Sequence, residues 1–465
     1  MLVNSSTTRL PQLNFDVLFE VMRQIEQRGT MLQMMYTCRT LYKGGIRLLL
    51  ALQITIDMDN DWEQFQSFCH YIVADVSRCQ HIRSLAIANG YPAGGIWTDF
   101  EKEALLAVAH NASNLESLEI TGYPLYIQFL ESVKSLKQLK MKACGALAVS
   151  FVSHVKSPLR HLDIEFNYRE DFGEAIRPHQ EFLQTLRVFR CNLSDIRESL
   201  TVFSNVTSLH FKDADVRYTD GTFLMKRFPN LRDLSHTFDG VNSDRVRNFY
   251  QIPPQPEPKF RDLKHIRRAS IAEQRRSGCG WPSLKRLAGD VYWVYCLGVT
   301  CPVRELIFEN EPLGRVNVHL ACCKVLLEFT RPTQMYYDVW ADGQCKYYTY
   351  RIVEVVGPTV RKLELKINGM IQQELQDVLR RKQLSVPSTT CIEQISLSIK
   401  WLRGSREADE GLLFDLARKY ADAIHSLQSV EVIIRNVPVD TLRLSWKVGR
   451  SDGHVSLYET HNVVS

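Results

Sequence analysis

A short apolar pattern recurs along the chain from residue 82 onward, and it constrains the fold more than any other feature. Apolar side chains occupy the first, fourth and sixth positions of each run. The clear copies are Ile82-Leu85-Ile87, Leu115-Leu118-Ile120, Leu136-Leu139-Met141, Leu159-Leu162-Ile164, Val206-Leu209-Phe211, Val303-Leu306-Phe308, Val360-Leu363-Leu365 and Ile392-Ile395-Leu397. Weaker copies begin at Leu186, Leu231, Leu284 and Leu427. Because one such unit cannot bury its own apolar face, the repetition predicts units stacked around a continuous core.

The spacing of the copies resembles that of leucine-rich repeats, in which a short L-x-x-L-x-L strand and a return segment recur about every 20 to 29 residues. Neighbouring copies with this spacing begin at Leu115, Leu136, Leu159, Leu186 and Val206. Helical periodicity at Asp99–Asn111 and Gly411–Ile424 supplies returns. The resemblance implies an α/β solenoid, a curved parallel sheet with helical returns, over residues 56–445, with a C-terminal tail at 446–465.

The first 50 or so residues follow a different pattern, which predicts short helices. Apolar residues recur at helical spacing within Asp16–Ile25. Thr30 is a candidate N-cap of a second helix, which the Gly44-Gly45 pair is expected to end. A third apolar stretch runs from Ile46 to Ile56. Since domains below about 40 residues are rarely stable alone, we expect this module to lean on a partner or on the repeats.

Two segments of this region, LPQLNFDVLFEVMRQI and MLQMMYTCRTLY, resemble the F-box, a helical module that docks the Skp-type linker of cullin-RING ubiquitin ligases. Asp16-Val17-Leu18 correspond to the family's Glu-Ile-Leu, and Leu41 stands where the family usually has Trp. The resemblance implies a helical module at residues 10–55 after a disordered segment at 1–9. The residues it implies for the module's core and its linker-subunit interface are Leu10, Pro11, Leu13, Val17, Leu18, Val21, Leu32, Cys38 and Leu41.

An F-box-like module followed by leucine-rich repeats implies a substrate adaptor of a ubiquitin ligase. Its expected partners are the Skp-type linker subunit with its cullin-RING ligase, and a protein substrate held by the repeats. Such a chain makes and breaks no bond, so it is not expected to be an enzyme. The alternative is a leucine-rich-repeat interaction scaffold without a ligase role, in which the first helices form a cap on the repeats.

Charge, hydropathy and motifs exclude several other classes. A net charge of +5 does not favour nucleic acid or an anionic membrane as a partner. No run reaches the about 18 apolar residues that cross a bilayer, and no signal pattern opens the chain, so a cytoplasmic or nuclear location is expected. The twelve cysteines form no C-x-x-C pair, and common nucleophile, phosphate-loop and zinc-protease motifs are absent. We therefore expect no catalytic residue, metal or cofactor.

One segment interrupts the repeats, at about residues 250–283. It opens with the proline-rich QIPPQPEPKF and continues with a basic stretch, and the pattern predicts a surface insertion. Arg267-Arg268-Ala269-Ser270 has the form that basophilic kinases accept, which makes Ser270 a candidate regulatory residue. A solvated loop is the simpler interpretation. The aromatic-rich stretch 310–360 is interpreted either as an interaction surface or as core packing.

Overall fold

The computed structural model describes residues 14–58, 61–89, 98–122, 127–144, 147–192, 200–213, 221–237, 260–311, 316–340, 348–370, 376, 379–380, 386–401, 410–435, 441–451 and 454–464. The chain divides into two compact units. The N-terminal unit comprises residues 1–170 and 174–183, and the C-terminal unit comprises residues 171–173 and 184–465.

The N-terminal unit begins with three helices and continues as a parallel sheet. The helices are α1 (Phe15–Arg23), α2 (Arg28–Met35) and α3 (Arg39–Ala51). The strands pair in chain order and are β1 (Ile54–Asp57), β2 (Ser84–Asn89), β3 (Ser117–Gly122), β4 (Gln138–Lys142) and β5 (His161–Asp171). The return segments contain α4 (Trp62–Val73), the 3-10 helix Val76–His81, α5 (Asp99–Asn111), α6 (Ile127–Ser132) and α7 (Leu147–His154). After β5 come the short helix α8 (Gly173–Ile176) and the 3-10 turn Arg177–His179.

The C-terminal unit repeats the alternation of strand and return. Its parallel strands, again paired in chain order, are β6 (Thr185–Asn192), β7 (Ser208–Lys212), β8 (Asp233–Thr237), β9 (Leu284–Gly289), β10 (Val303–Glu311), β11 (Gln334–Trp340), β12 (Lys362–Met370), β13 (Gln394–Trp401) and β14 (Ser429–Arg435). Its helices are α9 (Thr222–Arg227), α10 (Phe260–Ser277), α11 (Val291–Cys296), α12 (Val316–Thr330), α13 (Tyr348–Val355) and α14 (Glu410–Ala423).

The register of the strands explains the repeated motif. The fourth position of each copy aligns with that of the next strand, as in Leu85, Leu118, Leu139 and Leu162 of the N-terminal unit. The residues in this row are fully buried. Burying one leucine side chain stabilises a fold by about 1.5–3 kcal/mol, so the row supplies a continuous apolar spine. The predicted α/β architecture of repeated parallel strands with helical returns is confirmed.

The end of the chain differs from the prediction. Residues 446–465 were expected to form a tail, but Thr441–Ser451 and His454–Val464 form strands β15 and β16. Strand β15 pairs antiparallel with β14, and β16 pairs antiparallel with β15. Leu444 and Trp446 are buried. These strands cover the open edge of the last parallel strand, β14, and so protect its backbone groups from other chains.

The helix boundaries in the first 57 residues also correct the prediction. Helix α2 begins at Arg28, with Gln27 as its N-cap, so Thr30 lies inside the helix. Helix α3 continues through the Gly44-Gly45 pair to Ala51. A Cβ at Gly44 would collide with the ring of Phe19 on α1, so glycine permits close contact of the two helices there. The pair is therefore a packing feature and not a helix break.

Within the described part of the chain, no helix combines the length and the apolar character that crossing a bilayer requires.

Candidate interaction surfaces

The three N-terminal helices pack around a small apolar core. Its buried side chains are Met22, Met31, Met35 and Leu41. Gly45 lies beside this core, where a Cβ would come within 2.5 Å of Met35 Cγ and 2.7 Å of Met22 Cε. Because glycine has no such atom, α3 approaches the other two helices more closely than a larger residue would allow. The module composed of residues 14–52, called the helical module below, thus has its own core.

The helical module also exposes a second set of apolar side chains. Its exposed members, with their exposed fractions, are Phe15 (40%), Val17 (55%), Val21 (47%), Tyr36 (75%) and Tyr42 (45%). Val17 and Val21 are one helical turn apart on α1, on a different side from the buried Met22. A surface helix needs only one apolar face to pack against its core. Val17 and Val21 are therefore not part of the module's own core.

The residues predicted for the linker-subunit interface divide between these two surfaces. Leu41 belongs to the core of the helical module, and Leu18, Leu32 and Cys38 pack partly against that core. Val17 and Val21 are exposed. The remaining predicted residues, Leu10, Pro11 and Leu13, lie outside the described residues.

Sequence reasoning missed three aromatic residues of the outer surface, namely Phe15, Tyr36 and Tyr42. Tyr36 follows the last turn of α2, and Tyr42 lies in the first turn of α3. Helical spacing gives no signal that would have found them: Phe15 lies seven residues before the buried Met22, on the same side of α1, and Tyr36 follows the last turn of α2. Their exposure depends on how the three helices pack, which the sequence pattern does not give.

A second surface is the face of the C-terminal sheet that points away from its apolar core. Strands β10, β11 and β12 place Ile307, Tyr336 and Glu364 side by side in register. Tyr336 is half-buried and borders two depressions, one of about 170 Å³ and the other of about 380 Å³. The larger depression is lined by Arg286, Ile307, Glu309, Tyr336, Asp338 and Lys366.

The polar groups of the larger depression are held in place by one another. Lys366 Nζ lies 2.5 Å from Asp338 Oδ2, and Asn368 Nδ2 donates to Asp338 Oδ1 at 2.5 Å. Arg286 lies 3.8 Å from Glu309, but burial outweighs this ion pair and raises the pKa of the Glu309 carboxyl. Fixed charges of both signs and an aromatic ring give this face the means to select a partner.

The described part of the aromatic stretch 310–360 includes both a position on the exposed sheet face and positions in the core. Tyr336 belongs to the exposed face, whereas Tyr337 is buried in the core beneath it. The hydroxyl group of Tyr337 lies 3.0 Å from Nδ1 of the buried His319. Burial lowers the pKa of His319 to about 3, so this histidine is neutral in the folded protein.

Helix α10 replaces the loop expected at the basic insertion. Its inward face consists mainly of polar side chains: Leu263, Arg267, Ser270 and Gln274 are the buried residues. The guanidinium of Arg267 donates to the carbonyl oxygens of Tyr295 at 2.9 Å and Val299 at 3.4 Å. Tyr295 lies in the last turn of α11, where carbonyl oxygens lack intrahelical partners and attract cations, and Val299 follows the end of the helix by three residues.

Two further side chains of α10 complete this arrangement. Ser270 Oγ donates to the carbonyl oxygen of Leu297 at 2.8 Å, and Gln274 Nε2 donates to the same oxygen at 2.9 Å. Ser270 has no exposed surface, so its hydroxyl is inaccessible to a kinase in this fold. The prediction of a regulatory site at Ser270 is therefore corrected: the hydroxyl binds α10 to the end of α11. The simpler interpretation, a solvated loop, is also wrong over Phe260–Ser277.

The cysteine- and histidine-rich segment around residue 70 has the chemistry of a core. Burial raises the pKa of Cys69 to about 12 and that of Cys79 to about 11, so both thiols stay protonated. Metal ligands need the opposite, a thiolate. In the described residues, no group of three histidine, cysteine, aspartate or glutamate side chains is placed to hold a metal ion.

Comparisons with known proteins assign no family. No family model matches the chain, and no curated protein is similar to it. Among solved structures, a structural-genomics target protein from Bacteroides fragilis aligns over 77% of this chain and 75% of its own, with 12% sequence identity and a TM-score of 0.27.

Proposed function

We propose that the protein is a substrate adaptor of a Skp-cullin-F-box type ubiquitin ligase. In this proposal the helical module binds the Skp-type linker subunit, and the strand repeats bind a protein substrate. The observation that carries it is the second apolar face of the helical module, centred on Val17 and Val21. Helix-on-helix docking uses apolar anchors with this i, i+4 spacing, and the sequence of the same region resembles the F-box.

The contribution of such an adaptor is proximity. Holding the substrate and the charged conjugating enzyme on one scaffold raises their effective concentration, so transfer becomes nearly intramolecular. The chain itself needs no catalytic group for this role. Substrate selection would fall to the exposed sheet face around Tyr336, whose charged rim and aromatic ring are typical of protein interfaces.

The direct test is binding of the purified chain to the Skp-type linker subunit. The double variant Val17→Asp/Val21→Asp removes apolar contacts without touching the core, because both side chains are about half exposed. The matched control is Val73→Asp/Val202→Asp, two valines that are each 45% exposed outside the helical module. We expect binding by the wild type and the control, and at least a tenfold weaker affinity for the helical-module variant.

A wild-type chain that does not bind the linker subunit would overturn the proposal, as would equal binding by both double variants. Either result would favour the second candidate, an interaction scaffold whose helical module is a cap on the repeats. One observation supports that alternative: Leu50, in the last turn of α3, is buried, and β1 begins at Ile54 soon after it. A cap predicts that deletion of residues 1–52 lowers the melting temperature while no ligase subunit binds.

A further inference from the structure

Helix α10 has two sides with opposite chemistry. The side opposite its buried face carries basic residues along the full length of the helix: Arg261, Lys264, His265, Arg268, Arg275 and Arg276. At about 100° per residue, Arg261, Lys264, Arg268 and Arg275 fall within an arc of about 60°. We call these four residues the basic stripe. At about 1.5 Å per residue the stripe is about 21 Å long.

The described acidic residues do not neutralise the basic stripe. Glu273, on the same helix, forms ion pairs with Lys226 and Arg276, and its carboxylate is thereby occupied. Among the described residues, no member of the stripe lies within ion-pair distance of a carboxylate. Lys264 Nζ instead lies 4.4 Å from the centre of the Phe260 ring. The stripe is therefore a row of available cations.

The position of the stripe is fixed by the polar contacts beneath it. Arg267, Ser270 and Gln274 attach α10 to the end of α11 through four hydrogen bonds to carbonyl oxygens, three of them shorter than 3.0 Å. The cations therefore stand on a helix whose backbone is already ordered, so ligand binding has to order only their side chains. Neighbouring members are about 4.5 to 10.5 Å apart along the axis, close to the Debye length of about 8 Å at physiological ionic strength. A single polyanion can interact with all of them.

We propose that the basic stripe of α10 binds an acidic segment of another protein. Charge complementarity selects an anionic partner, and the shape of the surface selects a narrow one. Asp262 and Glu273 lie on one flank of the helix, about 100° to 120° around it from Arg261. A nucleic-acid duplex, with phosphates on both sides of a groove about 12 Å wide, would bring phosphates against these carboxylates. A single acidic peptide strand fits along the stripe and avoids them.

Single-stranded nucleic acid fits less well than a peptide. Its sites combine cations with exposed aromatic rings on which bases stack. The aromatic ring next to the stripe, Phe260, is half-buried and already lies under Lys264. The proposal does not rest on the ligase role: an acidic segment could belong to a substrate of an adaptor or to a partner of a scaffold.

The test measures binding of the full chain to a fluorescently labelled peptide of about six glutamates, whose extended length of about 20 Å matches that of the stripe. The variant Arg261→Glu/Lys264→Glu/Arg268→Glu reverses the N-terminal part of the stripe. Its fold should persist, because these side chains are exposed and acidic residues near a helix N-terminus interact favourably with the helix dipole. The control Lys156→Glu/Arg160→Glu/Arg232→Glu reverses three exposed cations elsewhere, so the two variants have equal net charge.

We expect the stripe variant to lose at least tenfold in affinity for the peptide and the control to lose less than threefold. Equal losses in the two variants, or no binding by the wild type, would overturn the proposal. A DNA duplex and a single-stranded RNA, each of equal charge, serve as competitors; tighter stripe-dependent binding of either one would also overturn it in favour of nucleic acid. Circular dichroism confirms the fold, and unchanged binding of the linker subunit separates this result from the proposed adaptor function.

Discussion

The helices of the helical module and helix α10 are held in place by different kinds of contact. The helical module buries methionine and leucine side chains and also exposes apolar side chains such as Val17. Helix α10 buries Arg267, Ser270 and Gln274, and exposes cations. The first depends on the hydrophobic effect, which has no preferred direction. The attachment of α10 depends on hydrogen bonds, which are directional and require specific distances and angles.

The two kinds of contact should respond differently to amino-acid substitution. An apolar core tolerates hydrophobic replacement provided that volume is conserved. A buried hydrogen-bonded pair does not tolerate such replacement, because removing one partner leaves the other buried without a hydrogen bond. The same difference suggests separate partners: an apolar surface for helix docking on the module, and a charged surface for an acidic chain on α10.

The largest effect on stability is expected for Arg267→Ala. The substitution removes a charged donor from the carbonyl oxygens of Tyr295 and Val299 and opens a cavity. Hydrogen bonds to charged groups contribute about 1.5–3 kcal/mol, so the free energy of unfolding should fall by about 3 kcal/mol. Urea denaturation measures this. The neighbouring Arg268→Ala, at an exposed position, should change it by less than about 0.5 kcal/mol. Equal effects of the two substitutions would contradict the buried role of Arg267.

The next effect tests the apolar side of the comparison. Gly45→Leu places a side chain where Met35 Cγ and Met22 Cε already lie. Overpacking of this kind costs about 1–3 kcal/mol, and we expect a loss of about 2 kcal/mol in the free energy of unfolding. Gly29→Ala is the control, because nothing lies within 4 Å of its added Cβ. That variant should gain up to about 1 kcal/mol from helix propensity. Stabilisation by both substitutions would contradict the close packing of α3.

Acidification should distinguish the helical module from the C-terminal unit, to which α10 belongs. His319, in the C-terminal unit, has its pKa lowered to about 3 by burial, and Asp290 opposes that shift only in part. The unfolded chain binds a proton near pH 6.5, the ordinary pKa of histidine, while the folded chain does not. His319 therefore does not reduce the free energy of unfolding above pH 6.5. Between pH 6.5 and 3 that free energy falls by about 1.4 kcal/mol per pH unit, because the unfolded chain takes up the proton. The helical module contains no histidine.

The measurement is thermal unfolding between pH 7 and 5 for the wild type and His319→Phe. The variant loses the contact with the Tyr337 hydroxyl at every pH, so its melting temperature should be lower at pH 7. Its dependence on pH should be weaker, because it lacks one of the buried histidines whose protonation destabilises the fold; burial also lowers the pKa of His179 and of His210, so part of the dependence remains. Parallel pH curves for the two proteins would show that His319 does not set this dependence.

The repeats could be predicted from the sequence because their signal is local and apolar. Leu118 and Ile120 alternate with polar residues on one strand, and the same pattern returns at Leu139 and Met141. Stacking in register follows from that repetition alone. Even the order of the strands could be inferred, because neighbouring repeats lie side by side.

Helix α10 could not be predicted in this way. Its buried positions Arg267, Ser270 and Gln274 are polar, so a search for apolar periodicity finds a loop. Their partners are backbone carbonyls 23 to 32 residues further along the chain, and only the fold brings them together. The helix break expected at Gly44-Gly45 was wrong for a related reason. Whether a glycine ends a helix or allows close packing depends on the side chain opposite it, which the sequence does not show.

The smallest effect on stability is expected at the most exposed aromatic residue of the helical module. Tyr36 is 75% exposed, so Tyr36→Ser should change the free energy of unfolding by less than about 0.5 kcal/mol. If the outer apolar face binds a partner helix, the same substitution should weaken binding of the linker subunit severalfold, because a tyrosine at an interface contributes mainly when it is covered. Leu200→Ser, at a leucine that is 87% exposed in the C-terminal unit, should alter neither quantity. A loss of stability without a loss of binding would place Tyr36 in the packing of a cap, and the two regions would then differ only in how they attach to their own chain.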